Sequence, residues 1–409
     1  MDLPINPIAP HIMYIDMNSC FATIYQQGHI ALRDKPLVIV AYDSPRGMIL
    51  SPSIEAKKVG IKMGMSLQDA REVYPAVISR LADVDMIRDV HDKFMKIFSD
   101  YSPLVLTKSI DEAVIDFTDL ENIYDKNLLD IGQEIKKRMK SEIGEYIKCS
   151  IGIGPNRWLA KTASDLKKPD GMELINQENL KSCLSRLTLR DLCGINVATE
   201  KRLNSYGIFT PLQFLETDET TLRKNVFKSI LGTHWYKRLR GWEVDDRESV
   251  RKSYGQQYAL SRPTNNVDEV LKIIMQLTEK MGRRLRDSKM AAKGIALGMM
   301  YQDHTHGGKS RKLNQKLFTT IELFTEIKKI FNEINTGEII RLISVTCFAL
   351  SNKDIYQEKL FGDNNIKMTK ALLAVDRLND RYGEYTVASA LSKDMDKIIL
   401  DRIAFGKTS

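Results

Sequence analysis

The stretch SIDEAVID (109–116) sets Asp111 and Glu112 side by side at the entrance to an apolar segment, and a third acid, Asp16, interrupts the apolar run IMYIDM (12–17). Carboxylates lose hydration as they are buried and repel one another when they converge. Three at one place need positive charge. Hard oxygen ligands suit Mg2+ or Mn2+, and Mg2+ keeps room for phosphate oxygens. Two such ions about 3.5–4 Å apart activate an attacking oxygen and steady a leaving one in phosphoryl transfer. Residue type alone leaves two other readings open: a strand-end aspartate paired with lysine or arginine, and an acidic turn in solvent.

The elements around these acids decide whether they can meet. Neighbouring side chains on a strand point to opposite faces, so Asp111 and Glu112 can share a site only where the strand opens, after a turn or at a bulge. The preceding LVLTK segment and the Ser109-Ile110 corner supply such a place. Asp116, at the far end, falls outside the cage. Residues 12–18 and 37–42 read as buried strands, with a short helix from Ser19 to Gly28 between them. SPRG (44–47) is a turn leading to a strand and then a helix around IEAKKVG (54–60). Ile131, Ile135, Met139 and Ile143 recur every four residues as one face of a helix over 129–144. CSIGIGPN (149–156) is a strand ending in a Gly-Pro turn, continued by the helix RWLAKTASDLKK.

From about 172 to 245 the pattern is helical, and LCGINVATEKRLNSYGI (192–208) reads as helix, glycine turn, helix. Beyond 250 the order becomes βαββαβ, a compact α+β module. Its first helix carries the stripe Val270, Ile274, Leu277, Met281 and Leu285, and GIALGMMY (294–301) and RLISVTCFAL (341–350) alternate as strands. A helix-like stretch (Met368, Leu372, Val375, Leu378) follows after 362.

The 409 residues, 43% hydrophobic and 28% charged, suffice for two to four packed domains. The net charge of +8 is concentrated: residues 190–315 hold 23 lysines and arginines against 14 acids, leaving the remainder near neutral. A basic half attached to a neutral half points to a polyanion, nucleic acid before a membrane surface. No run approaches the roughly 18 apolar residues of a membrane span, and the first residues lack a basic-then-apolar leader pattern. Five scattered cysteines without a CxxC pair suit a reducing cytoplasm.

YIDMNSCFA (14–22), SIDEAVID (109–116) and SIGIGPNRWLAKTASDLKKPDG (150–171), with IEAKKVGIKMG (54–64) and KSYGQQ (252–257), together resemble the Y-family, lesion-bypass DNA polymerases over roughly residues 10–360. AKKVGIKMG and the tail length are most similar to the UmuC-type bacterial branch. The resemblance implies an α+β right-hand polymerase. Its palm would take 1–18 and 78–170, fingers 19–77, a helical thumb 171–246, a βαββαβ little finger 247–356 and a C-terminal tail 357–409. It implies template-directed, error-prone synthesis from dNTPs on primer-template DNA, with two Mg2+ ions for which Mn2+ may substitute.

By the same resemblance Asp16, Asp111, Glu112 and the backbone carbonyl of Met17 hold the metals. Backbone N–H groups of Asn18, Ser19, Cys20 and Phe21 face phosphate oxygens at a helix start. Phe21 matches the steric gate against a ribose 2′-hydroxyl, and Cys20 stands where an aromatic is common. Lys161 faces the triphosphate, offsetting charge on the leaving group. Ser51 and Lys57 match further phosphate contacts, although many relatives carry YEAR where this chain has Ile54 and Lys57; lysine lacks the bidentate fork of arginine. Met48 and Leu50 roof the templating base, and Ser109 lies by the primer end.

For DNA grip, Gly194 and Asn196 lie in a segment that resembles a helix-hairpin-helix without its usual second glycine. The little finger offers Arg283, Arg284 and Arg286 on its helix and Arg311 and Lys312 at its turn, for sequence-independent, salt-sensitive phosphate contacts. QEKLF (357–361) resembles a clamp-docking peptide, with Gln357 at a pocket rim and Leu360 and Phe361 inside it. A sliding clamp is the expected partner, and the UmuC likeness adds a UmuD-like protein and a recombinase filament. The expected location is the bacterial cytoplasm, at the nucleoid when active, with no membrane partner.

Overall fold

The computed structural model describes residues 3–120, 126–246, 251–334, 337–352, 364–383 and 386–392. The chain divides near residue 247 into two compact units.

In the first unit, a five-stranded sheet is built from β1 (Ile12–Met17), β5 (Val105–Thr107), β6 (Glu112–Asp116), β7 (Cys149–Gly154) and β8 (Met172–Leu174) in the order β5-β6-β1-β7-β8. All six residues of β1 are buried, because β1 is central and covered on both faces. Strand alternation sends Met13, Ile15 and Met17 into a large core with α1 (Cys20–Gly28), α4 (Val84–Ser99) and α5 (Leu128–Glu142). It sends Tyr14 and Asp16 to the other face, where Ile12, Tyr14 and Val114 pack on Ala160 of α6 (Arg157–Leu166). Asn127 and Asn156 cap α5 and α6 by accepting from the N–H groups of Asp130 and Leu159.

A second sheet, in the order β3-β2-β4, joins β2 (Leu37–Val40) antiparallel to β3 (Ile49–Pro52) and parallel to β4 (Ile78–Leu81). With α2 (Ile54–Lys58) and α3 (Leu67–Val73) it encloses a small core of its own. After β8, which pairs parallel to β7 where only helices were expected, come α7 (Leu180–Leu184), α8 (Val197–Asn204), α9 (Pro211–Glu216) and α10 (Leu231–Leu239). They pack around Trp235, Phe214 and Phe227, and Trp158 and Leu159 of α6 join that core. The hairpin expected at 192–208 is half helical. A single 3-10 turn at Leu189–Asp191 precedes the Gly194 turn, and α8 follows.

In the second unit, β9 (Ser253–Thr264), β10 (Met290–Tyr301), β11 (His306–Leu317) and β12 (Ile340–Asn352) form an antiparallel sheet in the order β11-β10-β12-β9. The helices α11 (Val267–Asp287) and α12 (Thr320–Ile334) complete the expected βαββαβ order and bury the stripe Val270, Ile274, Leu277, Met281 and Leu285. The last α-helix among the described residues, α13 (Asn364–Tyr382), half-buries Leu372 and Val375 of the expected stripe along with Thr369, Asp376 and Asn379, and leaves Met368 and Leu378 exposed. No helix among the described residues is long and apolar enough to cross a membrane.

Candidate active site

The acids stand at one end of the central strands. In the antiparallel β1–β6 pair, Asp16 lies directly opposite Glu112. Directly opposed side chains sit about 4.5–5.5 Å apart at Cβ, so two like charges here are unfavourable unless a cation intervenes. The hairpin between β5 and β6 closes on Glu112, whose carbonyl accepts from the N–H groups of Lys108 and Ser109 at 2.9 and 3.2 Å. Asp111 therefore precedes the strand, as its spacing requires, and its carbonyl accepts from the Met17 N–H at 2.9 Å. Asp116 lies at the other end, opposite Ile12 and 3.5 Å from the Arg157 guanidinium.

Lys161 supplies the cation. Its ammonium hydrogen-bonds Asp16, donates to Glu112 at 2.8 Å, lies 3.5 Å from Asp165 and sits over the Tyr14 ring at 5.1 Å. Lys168 adds bonds of 2.7 Å to both Asp16 and Asp165. Lys168 lies just past the end of α6, whereas Lys161 and Asp165, four residues apart, share one of its faces. That face reaches the sheet because β7 carries glycines: a Cβ on Gly152 would lie 2.0 Å from the Ala160 carbonyl oxygen and 2.2 Å from the Ser164 nitrogen. Burial pushes the Asp16 carboxyl up, but Lys161 and Lys168 more than reverse it and hold it below the ordinary value. Burial lowers the Lys161 ammonium and the Asp16 and Glu112 charges outweigh it, so Lys161 stays charged. Tyr14 donates to Glu112 at 2.9 Å, and burial followed by the Glu112 charge raises its phenol. The lysine expected at the triphosphate is thus seated on the carboxylates.

The Asp111 carboxylate turns to the Ser109 hydroxyl, which donates to it at 2.6 Å. Among the described residues no three His, Cys, Asp or Glu side chains are gathered to hold a metal ion. The donor set nevertheless fits a hard divalent cation in kind: Asp16 and Glu112 already share one positive charge, and every candidate donor is oxygen. From the other side His91 of α4, buried, donates through Nδ1 to the Ile110 carbonyl at 2.9 Å and pins the hairpin.

At the start of α1, Asn18 spends its backbone N–H on the Lys148 carbonyl, so the phosphate-facing role expected of that group is corrected; its side chain bonds Ser150 and the Asp170 N–H instead. Ser19 has φ of 50° and a buried hydroxyl without a partner. Cys20 is buried, and burial, then the charges of Asp111 and Asp16, push its thiol well up. Phe21 is 2% exposed within the core. The Ser51 hydroxyl accepts from Ala22 at 3.4 Å, placing β3 against α1. Lys57 is lowered by burial and by Lys168, with Asp16 and Asp111 opposing. Met48 is half-exposed, and Leu50 packs on the core beneath.

The basic residues part ways. Arg286 is buried and bound twice to Asp376 of α13, at 2.6 and 2.8 Å, and once to Thr320 at 3.1 Å. Arg283 pairs with Asp380. The DNA role expected of Arg286 is therefore corrected: its guanidinium is consumed by Asp376 and Thr320. Arg284 lies over Tyr254 at 5.6 Å, Arg311 pairs with Glu333 at 2.6 Å, and Lys312 lines an open hollow with Arg251 and Lys252. Gly194 takes φ of 92° against Trp235, and Asn196 caps α8 by accepting from Thr199 at 2.8 Å. Gln357, Leu360 and Phe361 lie outside the described residues.

Sequence reasoning missed Lys168, Asp165, Tyr14 and His91. Asp165 was legible as a helical repeat of Lys161, and Tyr14 as the strand position two before Asp16; Lys168 lies past the helix end, and nothing in the sequence marks His91.

A five-stranded sheet bearing paired acids, a small second sheet, a helical segment and a βαββαβ unit make a right-hand polymerase, with palm, fingers, thumb and little finger. Residues 15–165 match the impB/mucB/samB family, and residues 251–360 match that family's C-terminal domain. A DNA polymerase IV of Oceanobacillus iheyensis is 30% identical over 94% of this chain and 92% of its own, and one of Clostridioides difficile is 31% identical over 84% and 93%. Among solved structures, a Y-family DNA polymerase chimera of Dbh and Dpo4 superposes with a TM-score of 0.71 at 21% identity, covering 83% of this chain and 99% of its own. An insertion ternary complex of Dbh DNA polymerase gives 0.57 at 20% identity, covering 82% and 98%. The chain belongs to the impB/mucB/samB family, the lesion-bypass Y family of DNA polymerases.

Proposed function

We propose that this chain performs template-directed, error-prone translesion synthesis, joining dNTPs to a primer 3′-hydroxyl during DNA damage tolerance. The observation that carries the reading is the cross-strand pair Asp16 and Glu112, with Asp111 immediately before it. Asp16, Asp111, Glu112 and the Met17 carbonyl would hold two Mg2+ ions, or Mn2+ in their place. Bound there, the ions supply a more acidic primer hydroxyl and neutralise the triphosphate.

The chain's own groups orient the reactants. The N–H groups of Ser19, Cys20 and Phe21, with Ser51 and Lys57, receive phosphate oxygens. Lys161 moves from carboxylate to phosphate and offsets charge on the departing pyrophosphate. Phe21 crowds a ribose 2′-hydroxyl, Met48 and Leu50 roof the template base, and Ser109 orients Asp111 beside the primer end. Palm (1–18, 78–170), fingers (19–77), thumb (171–246), little finger (247–356) and tail (357–409) divide the work. Gly194, Asn196, Arg283, Arg284, Arg311 and Lys312 meet DNA phosphates, while Gln357, Leu360 and Phe361 engage a sliding clamp. AKKVGIKMG supports the UmuC-type branch and with it a UmuD-like protein, a recombinase filament and an SOS role at the nucleoid. The named relatives, called DNA polymerase IV, support the class alone.

Primer extension with Mg2+ and dNTPs tests the reading. Wild type extends, Asp111→Ala does not, and Phe21→Ala raises ribonucleotide use. An inactive wild type, or Asp111→Ala extending at the wild-type rate, overturns it.

A further inference from the structure

Asp16 receives two ammonium groups and Glu112 one. Neither lysine reaches the site by chance. Lys161 is set by the contact of α6 on Gly152 and Gly154, where a Cβ would strike backbone, and Lys168, just past the helix end, is braced by Asp165. The site is dry enough for the contact to count, since the side chains of Lys161 and Asp16 are 13% and 9% exposed. Three acids, Asp16, Glu112 and Asp165, thus share two fixed positive charges.

We propose that Lys161 and Lys168 are a built-in counter-cation that competes with divalent metal for Asp16 and Glu112 and keeps the free protein's metal affinity low. A triphosphate is the chemical class that relieves the competition. It offers the same ammonium groups a denser set of anionic oxygens, so the lysines trade carboxylate for phosphate and the acids open as nucleotide enters. Metal then loads with its nucleotide, not before it. The inference rests on reading Asp16 and Glu112 as cation-holding residues, but its test does not require catalysis.

The experiment titrates the full chain with Mn2+ alone, without DNA or nucleotide, following free Mn2+ by electron paramagnetic resonance. Lys161→Gln is expected to bind Mn2+ tighter than wild type by about tenfold or more, equivalent to ~1.4 kcal/mol. Lys168→Gln, which removes one of the two bonds to Asp16, tightens binding less. Lys161→Arg keeps the charge and stays weak. Lys57→Gln is the control: its ammonium acts on Asp16 and Asp111 through space without a hydrogen bond to either. In EDTA Lys161→Gln melts below wild type, and Mn2+ restores it. If Lys161→Gln fails to fold, Lys168→Gln carries the same sign. The proposal is overturned if Lys161→Gln binds no tighter than Lys57→Gln, or if Lys161→Arg matches Lys161→Gln. A chain that follows the expected pattern yet extends no primer would retain this proposal and lose the polymerase reading.

Discussion

In the first unit, one lysine ammonium is divided between Asp16 and Glu112 and a second lysine shares Asp16; in the second unit, Arg286 meets Asp376 through two parallel bonds and Thr320 through a third. The central pair of each, Lys161 with Asp16 and Arg286 with Asp376, is largely withdrawn from water. They differ in how completely the charges are satisfied. The arginine fork matches a carboxylate edge in one geometry and leaves no reason to move. Lysine is a point charge on a flexible stem, and acids that outnumber their cations accept another partner. A one-to-one arginine pair therefore reads as a fastener, and an under-neutralised acidic cluster served by lysines reads as a site.

Four outcomes break or sharpen that contrast. The largest is catalytic: Asp16→Asn should lower the primer-extension rate by more than about 1,000-fold, several kcal/mol of lost charge stabilisation. Asp376→Asn should leave the single-turnover rate on bound DNA close to wild type. Equal losses from both would erase the distinction. Next, Arg286→Ala leaves Asp376 without its partner and should destabilise the little finger by ~3–5 kcal/mol in urea unfolding, whereas Arg286→Met with Asp376→Leu recovers much of that loss. Full stability of the single variant would show that α13 is not fastened there.

A smaller effect separates the positioning of α6 from its charge. Gly152→Ala inserts a methyl where backbone stands 2.0 Å away, so α6 must shift. The expected cost is about 1–3 kcal/mol in unfolding, with slower extension because Lys161 moves with the helix. An unchanged rate would mean that Lys161 does not depend on that contact. The smallest effect is shared by both units. Burial pushes the Cys347 thiol up to about 11 and the Cys149 thiol up to about 12. Unfolded thiols ionise near pH 8.5, so the stability these buried neutral thiols contribute is complete below that pH. It is lost as pH rises toward the folded values, by up to ~1.4 kcal/mol per pH unit for each thiol. Urea midpoints flat between pH 7 and 8 and falling above about pH 9 would bear this out; midpoints flat to pH 10 would not.

Much of the architecture was legible because burial imposes a period. The stripe on α11, the alternation in β10 and β12 and the run of β1, apolar but for Asp16, each declare their element before any fold is known. The place of Asp111 and Glu112 at a strand opening was legible for the same reason, since period 2 forbids two neighbours from sharing a face within a strand. The helical segment after β8 was less so: LCGIN tightens into a turn around Gly194, which lies against Trp235 some forty residues away, and α8 begins only at its Asn196 cap. The tail helix was legible from its stripe, of which Leu372 and Val375 are half-buried, but the ion pair beside them was not. Arg286 draws Asp376 inward, and hydrophobic spacing carries no trace of an ion pair made with another helix.

By itself the sequence determined that this chain has paired acids at a strand mouth, a glycine-rich strand followed by a basic helix, and a basic βαββαβ module, which together specify its family. Only the tertiary structure decided which charges meet. Asp16 and Lys161 are 145 residues apart, and Arg286 and Asp376 are 90 apart. Each helix could present its cations to solvent, phosphate or carboxylate. At the acids, what selects among these is the close approach of α6 to the glycines of β7, because an ion pair this withdrawn from water forms only where packing has already removed the alternatives.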